Sequence, residues 1–531
     1  MTKTKMSKFL KILAGNLLIF LIPVMVPLFT YVKNYIETPL GVFFRAAIIS
    51  IFLFNILLLV SFVIFQNASK TIFFSCIAFL LLSTYGVTYD LFAQNGHVLG
   101  HHKILALIYF VFVSGFIFLI SKIRSFGTLN LAIKILCCVF IFFQIIRLLP
   151  LVFNEETGYN VNDYISYADQ YQVATQKPDF IENETLPDVY YIILDSYARN
   201  DMIDQDFAFD NSYFTDNLED LGFYVAECSR SNYMITRSSL SSSLNMSYLS
   251  DFIANAPKTL DKDVILATLI KNSTVFRQFD ELGYETVAFE SGYDFTEIKN
   301  FDVYLQTKKP VAFLGSIDPY EILLLKSSIF KIIYDTHIPF INNIFDKITF
   351  PHTNHVKLQL YMFDQLKQIS IDPDPTFTFA HLTVPHTPFV FRADGSYTKD
   401  RRYFSGQHVT PVSNELFNEG YINQVQFVNN AILSTINEIL GNSKTTPIII
   451  IQGDHGAIIE HRFPILNAYL IPDVYNSNLY SSISPVNSFR LIFKDIYGLD
   501  LTLLEDNSYY ANYETSYDWT MVSEEMPGCI K

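Results

Sequence analysis

The sequence predicts two fold classes in one chain: an N-terminal α-helical membrane domain of five spans, then an α/β domain with a mostly parallel sheet covered by helices. Three observations carry this. Residues 1–150 of the 531-residue chain are nearly continuous apolar runs, and the rest reads as a globular protein. Charge divides at the same place. Residues 1–150 hold 12 Lys/Arg against 2 Asp/Glu, a net of +10, and the remainder holds 25 against 50, a net of −25, which together return the chain's −15. Beyond residue 187, short apolar runs ending in polar residues alternate with helical segments, as they do in a parallel sheet with crossover helices.

About 20 apolar residues cross a hydrocarbon core. The five candidate segments are 9–32, 43–65, 72–91, 104–121 and 131–150. The first is too long for the apolar part of a signal peptide and lacks a cleavage pattern, so it reads as a retained helix. Orientation follows from Lys and Arg in the short loops. Lys3, Lys5 and Lys8 precede the first span, Lys70 lies between the second and third, and Lys122 and Arg124 lie between the fourth and fifth. The opposite loops carry Lys33 with Glu37, and Asp90 with Lys103. The N-terminus is therefore expected in the cytoplasm of a multi-pass cell-membrane protein, and everything after about residue 152 outside, periplasmic or extracellular. Arg45 and Arg147 sit near outer span ends, where long stems snorkel to the interface; holding a lipid phosphate is their alternative. The loop "NGHVLGHHK", with His97, His101 and His102, reads as solvated rather than metal-binding. Cys228 and Cys529 lie in the outer part, where export would permit a disulfide.

The expected domains are the membrane part (1–152), a polar, acidic linker (153–187) with room for a short amphipathic helix, and the outer domain (188–531). "VYYIIL" (189–194) reads as a fully buried strand. Further strands are expected in "GFYVAE" (222–227), "YETVAFES" (284–291), "PTFTFAHLTVPHTP" (375–388) and "PIIIIQGDHG" (447–456). Helices are expected over "DVILATLIKNSTVFRQFDELG" (263–283) and "GYINQVQFVNNAILSTINEILGN" (420–442). A domain this acidic repels phosphate backbones, which excludes nucleic acid as a partner.

Three strand ends carry the chemistry: Asp195, His386 and the pair Asp454-His455. In a parallel sheet they share one edge, where ligands of open α/β folds bind. Two carboxylates and an imidazole suit a divalent metal of zinc or manganese type. The glycines around Asp454-His455 let the chain turn straight after the strand. Between the first two strands, "SRSNYMITRSSLSSSLNMSYL" (229–249) is rich in hydroxyls, and helical periodicity starts near Ser239. Thr236 falls just before that start, at a helix N-terminus that favours an anion. Alone, such a hydroxyl is better read as an N-cap; beside two carboxylate strand ends it reads as a metal-activated nucleophile.

Taken in order, "DVYYIILDSYAR", "TRSSL", "HLTVPHTPF" and "IIIIQGDHG" resemble the sulfatase-like branch of the alkaline phosphatase superfamily. With a five-span anchor, the chain resembles membrane phosphoethanolamine transferases and lipoteichoic acid synthases. The resemblance covers roughly residues 187–500. It implies Asp195, Thr236, Asp454 and His455 as metal ligands, Thr236 as the catalytic nucleophile, and His386, Arg237 and His461 as substrate-binding residues. It also implies a phospholipid donor and a glycan or glycolipid acceptor. Two departures stand out. The membrane transferases usually carry Glu where this chain has Asp195. No C/S-x-P-x-R motif lies in 229–249, which disfavours sulfate-ester hydrolysis. His461 also follows His455 at a shorter spacing than the family's later histidine.

Three readings therefore compete: transfer of a phospho-head group through a phosphothreonine, hydrolysis at the same site, and a non-catalytic membrane scaffold. Other residues have plainer expectations. "RFPILNAYLIP" (462–472) reads as core packing. Asn487 or Ser488 reads as an N-cap, Arg490 as a surface ion pair, Trp519 as a closing contact, and Asp201 and Asp204 as surface residues.

Overall fold

The computed structural model describes residues 17–34, 38, 40–94, 97–123, 125–153, 161–176, 186–307, 318–335, 351–369, 374–398, 414–475, 478–511 and 517–522. The chain divides into two compact units: residues 1–157 with 309–351, and residues 158–308 with 352–531.

In the first unit, four helices are long and apolar enough to cross a membrane: Leu40–Phe65, Ala68–Ala93, His102–Lys122 and Thr128–Leu148. The first of the five expected spans is described only from residue 17, as a shorter apolar helix, Leu17–Lys33. A segment from the middle of the chain joins these helices. Within it, the helix Pro319–Ser327 opens with a capping box between Asp318 and Glu321, which satisfies two otherwise orphaned backbone donors. Tyr320 donates its hydroxyl to the Pro27 carbonyl at 2.7 Å, and the Ile329 amide donates to Leu82 O at 2.7 Å. Arg45 is not solvated at an interface: it pairs with Glu321, donating Nε to Oε1 at 2.7 Å and Nη2 to Oε2. His102, expected in a solvated loop, binds Asp335 at 2.9 Å and stacks on Tyr89. Asp335 in turn lies 3.3 Å from buried Lys331.

The second unit is built on a seven-stranded sheet. In chain order the strands are β1 (Val189–Leu194), β2 (Tyr224–Val225), β3 (Glu285–Phe289), β4 (Val303–Leu305), β5 (Thr376–Leu382), β6 (Ile448–Gly453) and β7 (Asn467–Leu470). The spatial order is β2-β7-β6-β1-β5-β3-β4. β6, β1, β5, β3 and β4 run parallel, and β7 lies antiparallel to its two neighbours. The apolar runs have no polar alternation because both faces of the central strands are covered. Tyr190, Ile192 and Leu194 of β1 join Ile449 and Ile451 of β6 in one core, and Val189, Tyr191 and Ile193 join Ile448 and Ile450 in the other. Each fully buried isoleucine contributes about 1.5–3 kcal/mol, so the strand that ends at Asp454 is a stiff base.

The 263–283 stretch is two helices, Lys262–Lys271 and Thr274–Glu281, rather than one. The break is local: the Ser273 hydroxyl accepts the Phe276 amide and starts a new helix. The linker contains the helix Val161–Asp169, whose Tyr164 and Ala168 are buried against the core around Leu249 and Leu266. Trp519 packs edge-on to Tyr233 in that core. The N-cap of the helix Pro485–Asp495 is Ser484, not Asn487 or Ser488. Cys228 is disulfide-bonded and Cys76, Cys137 and Cys138 are free; Cys529 lies outside the described residues, as do Arg124 and Glu37.

Candidate metal and transfer site

Parallel pairing of β1 with β6 puts Leu194 opposite Gly453, so the next residues, Asp195 and Asp454, stand side by side at the carboxyl edge. β5 flanks β1 on its other side with His381 opposite Ile193. Asp195 is fully buried and Asp454 nearly so, at 0% and 1% exposure. Two backbone amides, those of Ser196 and His455, both donate to Asp454 Oδ1 at 2.9 Å. Its other oxygen, Oδ2, has no hydrogen-bond partner, and neither has Asp195 Oδ2. Buried carboxylate oxygens left unpartnered are costly unless a cation meets them.

His455 completes the group. Its Nδ1 lies 2.9 Å from the Gly456 carbonyl, which assigns the proton to Nδ1 and leaves the Nε2 lone pair open to the site. Around that nitrogen stand Thr236 Oγ1 at 3.2 Å, Arg462 Nη1 at 3.4 Å, Asp454 Oδ2 at 3.5 Å and Asp195 Oδ1 at 3.8 Å. Ligand atoms of Asp195, Asp454 and His455 all lie within 4.8 Å of one another. The buried orphan oxygens and the open imidazole nitrogen fit a divalent metal ion.

Thr236 is the first residue of the helix Thr236–Asn245, so its hydroxyl shares the electropositive helix start. The far end of that helix is anchored by Arg490. It was expected in a surface ion pair, but it is buried and donates to the carbonyls of Met246 and Thr502 at 2.7 Å.

The two glycines beside Asp454 have a different cause from the expected sharp turn. Neither has a positive φ among the glycines that do. A Cβ on Gly453 would meet Tyr197 O at 2.3 Å, and one on Gly456 would meet His461 O at 2.5 Å. Close backbone approach, not turn conformation, requires them.

Electrostatics follow from burial and neighbours. Burial by itself would raise the Asp195 carboxyl, but His386, His381 and His455 outweigh it and hold the group well below the usual carboxylate range. Burial, then the Arg462 guanidinium, lowers the His455 imidazole below its ordinary value, which keeps it in the neutral, ligating form.

The other expected residues fall at different distances from this centre. The half-buried His386 ring lies 6.5 Å from that of His455, centroid to centroid. The loop that carries it is gripped by fully buried Gln424, which donates to the carbonyls of Pro385 and His386 and accepts from the amides of Val390 and Phe391. Arg237 pairs with Asp263 and lies over the Phe295 ring at 4.8 Å. His461 pairs through Nδ1 with Asp206 at 2.8 Å.

Sequence reasoning missed three residues. Arg462, read there as core packing, brings its guanidinium to His455 and donates to Met234 O at 2.9 Å. His381, buried inside β5, faces Asp195 Oδ2 at 3.6 Å, longer than a hydrogen bond. Its one sequence signal is a histidine within a strand otherwise free of ionisable residues. His355, on the helix Pro351–Ile369, interacts electrostatically with His386 and Asp195, and burial pushes it down to about 4. It marks no strand end, so nothing in the pattern announced it.

No family model matches the chain, and no curated protein matches it. Solved structures do. The C-terminal periplasmic domain of EptC from Escherichia coli matches at 12% identity over 67% of this chain and 97% of that one, with a TM-score of 0.43. Its zinc complex matches at 13% identity over 62% and 87%, with a TM-score of 0.39. The integral membrane lipooligosaccharide phosphoethanolamine transferase A from Neisseria meningitidis matches at 11% identity over 86% and 88%, with a TM-score of 0.33.

Proposed function

We propose that the chain is a divalent-cation-dependent transferase. It moves a phospho-head group, of phosphoethanolamine or phosphoglycerol type, from a membrane lipid to a hydroxyl of an envelope glycan or glycolipid. The observation that carries this reading is Thr236 Oγ1 at 3.2 Å from the open Nε2 of His455, beside two buried carboxylates with unpartnered oxygens.

Asp195, Asp454, His455 and Thr236 are the residues that would hold the cation, zinc or manganese. Bound there, it would lower the Thr236 pKa and offset charge on the phosphoryl oxygens. The Thr236 oxygen attacks phosphorus. The bond from phosphorus to the lipid alcohol breaks, the alcohol leaves with a proton, and the head group stays as a phosphothreonine diester. An acceptor hydroxyl then displaces Thr236, which recovers its proton. Arg462 and His386 supply donors for the non-bridging oxygens, and the helix N-terminus at Thr236 adds a fixed positive pole. Arg237 and His461, held by Asp263 and Asp206, are assigned to outer parts of the substrate.

Hydrolysis is the second reading, favoured by Asp195 in a place where the membrane transferases that the chain resembles usually carry Glu. Water then takes the acceptor's role.

The test uses full-length protein in liposomes with head-group-labelled phospholipid. A covalent head-group mass on the protein, absent from Thr236→Ala, is the expected result, with release that stops under a chelator. Equal release by wild type and Thr236→Ala would refute the nucleophile, and release unaffected by chelation would refute the cation. Product formed with and without glycan acceptor separates transfer from hydrolysis.

A further inference from the structure

The Arg45–Glu321 pair lines a cavity of about 500 Å³ in the first unit. One wall is a single face of the helix Leu40–Phe65, set by Arg45, Ile49, Leu53 and Leu57 at helical spacing. Phe79 and Leu82 of the next helix face it, and Leu324, Leu325 and Phe330 of the mid-chain segment close it. From Arg45 to Leu57 is twelve residues, or about 18 Å along the axis. That slightly exceeds one leaflet of a hydrocarbon core of about 30 Å.

The lining is graded along this length. Its charged pair lies near the start of the helix; aliphatic and aromatic side chains follow, with the hydroxyls of Ser50, Ser83 and Ser328 among them. Arg45 and Glu321 satisfy each other's charge, so this end tolerates a polar neighbour without demanding an anion. A mostly apolar slot of this size among helices long enough to cross a membrane offers water few partners, and an empty one would forfeit close packing. The volume lies within the range of built ligand sites, about 300–1,000 Å³. Length, polarity gradient and depth match one hydrocarbon chain hung from a polar head.

We propose that this slot takes one acyl chain of a membrane phospholipid, with the glycerol at the level of Arg45 and Glu321. The mid-chain segment, through Leu324 to Phe330, covers part of the slot. The proposal does not depend on Thr236 chemistry.

The experiment uses full-length protein in detergent-free liposomes doped with a phospholipid that carries a diazirine midway along one acyl chain. After photolysis, peptide mapping locates the label. Label on peptides containing 45–57 and 324–330 should exceed that on the lipid-facing helix His102–Lys122 by about tenfold. Leu53→Trp fills the slot and should remove that excess while leaving label on His102–Lys122 unchanged. Leu324→Trp fills it from the opposite wall and serves if the first variant folds poorly. Label no greater than on His102–Lys122, or undiminished in both filled variants, overturns the proposal. So does slot labelling by a diazirine detergent with none by the phospholipid. Head-group release measured on the same liposomes is a separate readout, so failure of the slot and failure of the transfer reading are distinguishable.

Discussion

Asp195→Asn changes one charge and almost no volume, at a side chain with no solvent exposure. Its backbone contact, the Asp195 amide to Leu382 O at 3.0 Å, survives the change. So does room for the Ser196 hydroxyl, 3.3 Å from Oδ1. What is lost is one of two carboxylates whose unpartnered oxygens converge with His455. Removing one partner of a buried charged pair costs about 3–5 kcal/mol, roughly 10²- to several-thousandfold in cation Kd. The cation-free protein should lose less, because the lost attraction of Asp195 to His386, His381 and His455 is partly offset by the repulsion it no longer exerts on Asp454. Wild type at a cation concentration of about 1,000 Kd gains about 4 kcal/mol from binding, and the variant at that concentration should gain about 1 kcal/mol or less. Chelator-competition titration gives the affinities, and unfolding curves with and without zinc or manganese give the stabilities. If the cation stabilises Asp195→Asn as much as it stabilises wild type, the metal assignment fails. An unchanged Kd refutes it equally.

Other expectations follow from the same geometry. Arg462→Ala should slow head-group transfer by about 10²-fold, the usual effect of removing one donor to a developing charge, with cation affinity unchanged or tighter. A weakened cation affinity would instead make Arg462 a support for His455. Cation affinity should hold at full value above pH 6.5 and decline only below it, because burial lowers His455 and only its neutral form ligates; a decline centred at or above pH 7 contradicts this. The cation-free protein should lose stability as pH falls from 6.5 toward about 4. In that window the unfolded chain protonates a histidine that the folded chain keeps neutral, His355 being pushed down to about 4. Gly453→Ala sets a Cβ 2.3 Å from Tyr197 O and should cost about 1–3 kcal/mol. Gly441→Ala, with nothing within 4 Å, should be neutral or stabilising by up to about 1 kcal/mol; equal melting of the two would refute the close-approach argument.

The strands and the residues gathered at the candidate metal site were legible because one physical rule connects them. A strand buried on both faces has an uninterrupted apolar sequence, so Val189–Leu194 and Ile448–Ile451 declare themselves, and the acid that follows each must sit at the carboxyl edge. Asp195, Asp454 and His455 come from that rule, and Thr236 from the hydroxyl-rich start of a helical pattern. Charge asymmetry and apolar length likewise marked the four described helices that are long and apolar enough to cross a membrane.

Tertiary structure decided what depends on residues distant in sequence or on single close contacts. Arg462 reads as the edge of an apolar run until the backbone of Gly456 and His461 folds it against His455. His355 sits mid-helix with no local signal, and only packing of that helix brings it into electrostatic contact with Asp195. Arg490 looks like a surface cation, yet it clamps the far end of the Thr236 helix. Residues 309–351 lie between outer-domain elements in the sequence, yet they group with the membrane helices, because Arg45 and His102 find their carboxylates in Glu321 and Asp335. Periodicity records which faces a chain buries; it carries no record of which distant partner meets a lone charge, and that choice is made only by the assembled fold.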